Sequence, residues 1–340
     1  MSAELKGQIR LLIDEKGGVR KRDGHVASYR TIQVHHQVMA RIVDILYERG
    51  YKLERAENLA GRHVQVLAAA IVEMGLAPKT MKSIWTELGY WADWIGKPGL
   101  VKPLHTYLPQ VGPERLKVKV ATRESKSWSE AGLNVLETIE KADRLDIRLG
   151  WMIRLGLAFG LRRAELLCLR IHKADQGRYL RVFPGDGPKS GRGRDIPIEH
   201  PWQREVLEYV KERIPKSHFL GWQQTPSGKH GRLHANADRF EKLMQKLGIT
   251  KAECGVTAHG MRAEYAENIA MLGGMLPATL GGRADQMAAD DLRLVQEGVM
   301  ERMGHGRVGV AAAYYGSFRL RPVPKEGTRQ RSPRRVVDAE

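Results

Sequence analysis

Between residues 96 and 126 the chain loses the apolar periodicity of packed secondary structure, and that interruption governs how everything else can fold. Gly96, Pro98, Gly99, Pro103, Pro109, Gly112 and Pro113 fall inside it, a density that helix interiors and central strands do not tolerate. The basic residues Arg115, Lys117, Lys119, Arg123 and Lys126 follow, a run suited to tracking a phosphate backbone. Patterned sequence resumes on the far side. Two domains are therefore predicted, each long enough to bury its own core.

Upstream, Val34, Val38, Ile42, Ile45 and Leu46 form one stripe at helical spacing, and Leu59, Leu67, Ile71 and Met74 form another. The clearest stripe is Met81, Ile84, Trp85, Leu88, Trp91 and Ile95, after Pro78 and a candidate cap at Thr80. Residues 28–112 are predicted to be a small helical bundle, with Trp85 and Trp91 in its core rather than stacking on bases. Residues 1–27 are polar and basic, with Gly17-Gly18 and Lys21-Arg22-Asp23-Gly24. They read as a flexible arm, and 113–127 as a basic linker.

Downstream, Ser127-Trp128-Ser129-Glu130 has a capping-box pattern ahead of Leu133, Leu136 and Ile139, and opens a second domain over 128–320. Trp151–Phe159 is apolar nearly all round, which predicts a central buried helix. Tyr179–Phe183 and Arg194–Ile198 flank a Pro/Gly-rich turn and predict a hairpin. Further helices are predicted near 201–213, 234–247, 259–272 and 287–303. The expected class is mainly α with a small antiparallel β-sheet, an α+β catalytic domain behind a helical bundle. Residues 321–340, rich in Arg, Pro and Ser, read as a disordered basic tail.

Charge narrows the class of partner. Fifty-six Lys and Arg face 39 Asp and Glu, a formal charge of +17, and both halves share the excess. A polyanion is implied, with nucleic acid the leading candidate. Cys168 and Cys254 are far apart and outside metal-ligand spacing, as in a protein of a reducing cytoplasm. No run reaches membrane-spanning length, so no membrane partner is expected. His35-His36, His230 and His234 lack the carboxylates or thiolates that would complete a metal site.

Four short segments carry candidate chemistry: Phe159-Gly160-Leu161-Arg162-Arg163-Ala164-Glu165-Leu166; the hairpin turn Pro188-Lys189-Ser190-Gly191-Arg192-Gly193-Arg194; Thr257-Ala258-His259-Gly260-Met261-Arg262; and Met303-Gly304-His305-Gly306, with Tyr314 nine residues beyond the histidine. Singly, each has an ordinary explanation. An Arg-x-x-Glu is usually a surface ion pair, a turn lysine is usually solvated, and a tyrosine usually packs.

In this order the segments resemble the tyrosine recombinase (phage integrase) family, over roughly residues 128–318. The helical N-terminal domain matches the family's core-DNA-binding domain by position and pattern only. The resemblance implies that Arg162 and Arg262 hold the scissile phosphate and stabilise its transition state, guanidinium forks being suited to phosphate oxygens. Tyr314 would attack phosphorus to leave a 3′-phosphotyrosyl link and a free 5′-hydroxyl. Lys189 would protonate the departing oxygen, His259 would assist the tyrosine proton, and His305 would donate to the phosphate. Glu165 would orient Arg162. The basic linker residues and the hairpin residues Arg192 and Arg194 would contact DNA.

The resemblance also implies double-stranded recombination sites as partner, and a homo-tetramer on paired sites from a protein that is monomeric or weakly dimeric when free. Accessory DNA-bending proteins and a place on the bacterial nucleoid are further expectations, with neither metal nor other cofactor. Met261 and Met303 replace the usual leucines, and Phe159 stands where threonine is common. A Gly-rich insertion around 273–284 lengthens the interval from Arg262 to His305. With the basic tail, it inclines the reading toward a mobile-element or phage integrase. Tyr315 is the rival nucleophile. The competing reading is a non-catalytic DNA-binding regulator or degenerate recombinase on the same scaffold; a degenerate copy should have lost one of the six residues, and none is lost.

Overall fold

The computed structural model describes residues 2–19, 24–118, 121–184, 193–306 and 308–318, arranged in two compact units that divide between Lys119 and Val120. Helices dominate both, and among the described residues the two named strands form one antiparallel sheet.

The first unit contains α1 (Ser2–Lys16), α2 (Tyr29–Glu48), α3 (Gly61–Glu73), α4 (Pro78–Trp94) and the single turn α5 (Pro113–Leu116). Its core is drawn from the predicted stripes: Ile42, Leu46, Leu67, Ile71, Leu88 and Trp91 are all but inaccessible. Trp91 also donates its indole N–H to the Ala56 carbonyl at 3.1 Å. Trp85 is half-buried and bonds the Lys102 carbonyl at 2.8 Å, so both tryptophans serve packing. Ser28 caps α2 by accepting the Thr31 amide. Pro78, rather than Thr80, marks the start of α4, occupying the first turn where its missing N–H costs nothing. A buried pair, His35 Nδ1 and Glu87 at 2.5 Å, joins α2 to α4.

The predicted flexible arm over 1–27 is corrected by α1. Leu5, Ile9 and Ile13, four residues apart, are buried against α2. That stripe is too narrow, and its surroundings too charged, to stand out along the chain, yet it suffices once α2 offers a complementary face.

In the second unit the capping-box reading of Ser127–Glu130 is also corrected. Residues 128–132 form turns, and α6 (Val135–Leu145) begins instead at Asn134, whose side chain accepts the Glu137 amide. Ser129 spends its amide and hydroxyl on the Glu264 carboxylate, at 3.0 and 2.6 Å. Beside it, Trp128 is fully buried and donates to the Thr257 carbonyl.

The central helix is α7 (Ile147–Phe159), buried through most of its length as its composition predicts. Against it pack α6, α8 (Arg163–Cys168), α10 (Pro201–Lys211) and α12 (Gly260–Leu272), and outside these lie α9 (Ile171–Ala174), α11 (Leu233–Lys246), α13 (Ala289–Arg302) and α14 (Val308–Tyr315). The hairpin pairs β1 (Tyr179–Val182) with β2 (Arg194–Pro197), Val182 lying opposite Arg194. Within the Gly-rich insertion are two short 3-10 turns, Ala278–Leu280 and Ala284–Gln286. Thr279 bonds Glu267 on α12, and the first turn packs against Gly316 at the end of α14. No described helix is long and apolar enough to cross a membrane.

Candidate active site

Three of the four sequence segments meet where α7 ends. Gly160 terminates that helix with φ +56°, a left-handed conformation available to glycine, and an added Cβ would lie 2.3 Å from Tyr265 Cδ1. The sharp exit puts Arg162 at the threshold of α8, where Glu165, one turn on, accepts its backbone amide at 2.8 Å and its guanidinium at 2.7 Å.

His259 and Arg262 sit at the start of α12, held by the fully buried Trp128 beneath Gly260. Arg262 is 1% exposed. Its guanidinium donates to the carbonyls of Gly160 and Met303, and its Nε–H to the Tyr314 hydroxyl at 3.1 Å. Arg162 reaches the same place, donating to the carbonyls of Met303 and Gly304 at 3.1 Å. Both guanidinium groups thus converge on one backbone oxygen, the Met303 carbonyl.

The tyrosine belongs to this cluster. Tyr314 is 9% exposed, and its hydroxyl lies 3.1 Å from His259 Nε2 as well as from Arg262. Its ring stacks on His305, centroids 5.4 Å apart. His305 Nε2 lies 3.4 Å from Arg262 Nη2, while its buried Nδ1 has no hydrogen-bond partner among the described residues. Tyr315, next in the chain, is buried with its pKa pushed up to about 12 by burial, and is absent from this constellation.

Charge and burial set the protonation states. Burial, then the positive Arg262, Lys126 and Arg162, lower His259 to about 4. The residue as a whole is exposed, with Nε2 directed at the Tyr314 hydroxyl. His305 is likewise held at about 4, by burial first and then by Arg262, Arg162 and Arg194. Both imidazoles are therefore neutral near pH 7. Burial also depresses Arg262, to about 10, which leaves it charged. Burial alone would raise Glu165; the hydrogen bonds and charge of Arg194, with Arg162 behind them, bring it down to about 2.

Among the predicted DNA-contacting residues, Arg123 and Lys126 are exposed, and Lys126 is near enough to His259 to lower its basicity. Arg115 donates to the Val72 carbonyl within the helical unit, and Lys117 pairs with Glu114 on an exposed surface. Lys119, Lys189 and Arg192 lie outside the described residues. Arg194 is a correction. Its side chain is 7% exposed and bound to Glu165 through both oxygens, because the β2 register turns it inward. No sequence motif marks that pairing; only a buried carboxylate facing two arginines in space reveals it. Among the described residues, no group of three or more His, Cys, Asp or Glu side chains could hold a metal ion.

No protein-family model and no curated protein matches the chain. Solved structures do. The Tn1549 transposon integrase in complex with a circular intermediate DNA is 16% identical, with a TM-score of 0.57 and coverage of 92% of this chain and 94% of that one. Lambda integrase bound to DNA is 14% identical, with a TM-score of 0.58 and coverage of 96% and 99%. A lambda integrase tetramer bound to a Holliday junction is 15% identical, with a TM-score of 0.56 and coverage of 94% and 78%. At such identities the likeness establishes the fold alone: this chain is folded like these integrases, mainly helical with a small antiparallel sheet.

Proposed function

We propose that this protein is a tyrosine-type site-specific DNA recombinase that cleaves and rejoins strands through a phosphotyrosine at Tyr314. One observation carries the reading: the Tyr314 hydroxyl is bonded to a neutral histidine and to a buried arginine, within a cluster that also draws in Arg162. In-line attack forms the Tyr314 Oη–phosphorus bond and breaks the bond from phosphorus to the 5′-oxygen. His259 Nε2 takes the phenolic proton. Lys189 supplies the proton to the departing 5′-oxygen.

Arg162 and Arg262 exchange backbone carbonyls for phosphate oxygens, and their charge offsets that of the pentacoordinate transition state. His305 adds a hydrogen bond. The phosphotyrosine retains the energy of the broken link, so rejoining proceeds without ATP or metal. The partner is double-stranded DNA bearing recombination sites, gripped as a homo-tetramer on paired sites, and the setting a mobile element in a bacterial cytoplasm.

The test begins with a randomised duplex pool, from which Tyr314→Phe protein selects its preferred sites without cutting them. Those duplexes, remade with a nick near the protected centre, are incubated with wild type and with Tyr314→Phe. Wild type is expected to become covalently attached and the variant not. Tight binding by wild type with no adduct at any nick position would leave the non-catalytic DNA-binding reading in its place.

A further inference from the structure

Four N–H groups from two arginines surround one buried carboxylate. Glu165 Oε1 accepts from Arg162 Nη1 and Arg194 Nη1, each at 2.7 Å. Oε2 accepts from Arg194 Nη2 at 2.7 Å and from the Arg162 amide at 2.8 Å. The side chains of Arg194 and Glu165 are 7% and 2% exposed, against 29% for Arg162. The three ionised groups sum to one positive charge, and only its Arg162 end opens to solvent.

Arg194 is tied in two further directions. Its Nε–H donates to the Arg302 carbonyl at 3.0 Å, and its Cδ packs on Gly304, where an added Cβ would lie 2.8 Å away. One side chain therefore braces the carboxylate that orients Arg162 and the turn that leads into His305.

We infer that Arg194 is a positioning residue for strand transfer: by neutralising Glu165 it leaves the charge of Arg162 for the scissile phosphate, and it holds that guanidinium in register with the 302–305 turn. The inference rests on the recombinase reading of the site. Without Arg194, Glu165 has Arg162 as its sole cationic partner among the described residues. A buried bidentate arginine–carboxylate pair has no net charge, and a phosphate must then compete with the carboxylate for the same donors.

Charge compensation is separable from mere architecture. Arg194→Met removes the positive charge at similar length, whereas Glu165→Gln/Arg194→Met removes both charges and restores a net single positive. In single-turnover adduct formation at saturating DNA, Arg194→Met is expected to slow the reaction by about tenfold or more. The double variant is expected to recover by about threefold or more over Arg194→Met, although it lacks two native hydrogen-bonding partners. A wild-type rate in Arg194→Met, or no recovery in a double variant that melts as the single variant does, overturns the assignment.

Should wild type itself form no adduct, the recombinase reading fails separately. Positioning is then decided by a crystal structure of Arg194→Met, in which Arg162 is expected to leave the Met303 and Gly304 carbonyls and close on both Glu165 oxygens. An Arg162 that stays in place overturns it.

Discussion

The phenolic oxygen of Tyr314 lies 3.1 Å from Nε2 of His259, and that nitrogen belongs to an imidazole held at about 4 rather than its ordinary 6.5. A neutral acceptor thus faces the nucleophile throughout the physiological range. Because the folded-state value is depressed, the neutral form persists as pH falls and is lost only near 4. The kcat/KM for adduct formation is therefore expected to stay level from about pH 8 to 5.5, whereas an ordinary histidine would cost about tenfold by pH 5.5. An inflection near 6.5 that His259→Gln abolishes would refute a His259 held neutral down to about pH 4. Stability follows the same sign: the unfolded chain protonates these histidines first, so the urea midpoint is expected to drop as pH falls from about 6.5 toward 4.

Tyr315 supplies a second check. It is 1% exposed, and burial raises its pKa to about 12. Tyr315→Phe is expected to form the covalent adduct within about twofold of the wild-type rate, adjacent helical residues pointing about 100° apart. Loss of the adduct in this variant, with Tyr314 intact, would move the nucleophile.

At Gly160 the backbone is left-handed and Tyr265 blocks the position of a Cβ. Gly160→Ala is expected to cost about 2–4 kcal/mol, combining backbone strain with overpacking, as read by urea denaturation. Arg262 donates to the Gly160 carbonyl, so adduct formation should fall with it. A variant as stable and active as wild type would separate this turn from the site.

Helix α1 can be tested by truncating one core residue. Ile9 is 2% exposed, and Ile9→Ala is expected to destabilise the protein by about 2–5 kcal/mol. A flexible arm would show no change in the unfolding transition.

Two guanidinium groups, rather than a metal, supply the positive charge in the proposed reaction. Adduct formation is expected to continue at full rate in excess EDTA. A strict magnesium requirement for the chemical step would remove Arg162 and Arg262 from that role.

Much of this arrangement is legible along the chain. The apolar stripes of α2, α3 and α4 appear as the core of the first unit, and the all-round apolar run as the buried α7. Arg162, His259, Arg262, His305 and Tyr314 are marked by the resemblance of their segments, in order, to a known family, and the structure gathers them around one carbonyl and one hydroxyl. Such features are readable because periodicity and motif spacing are local properties, expressed by neighbours a few residues apart. Three features were not. Helix α1 depends on the face that α2 offers it, and the Ser127–Glu130 segment forms turns rather than a capping box, with Ser129 bound to the distant Glu264.

Arg194 is the sharpest case. A hairpin arginine reads as a solvent-facing DNA contact, and its sequence neighbours do nothing to contradict that. The sequence by itself determined which charged groups are present and how they are spaced. Tertiary structure alone decided which of them face each other, because Glu165 is 29 residues from Arg194 and 3 from Arg162, yet its buried carboxylate binds both. Burial there makes each charge dependent on a partner, and partners chosen by packing leave no trace in local spacing.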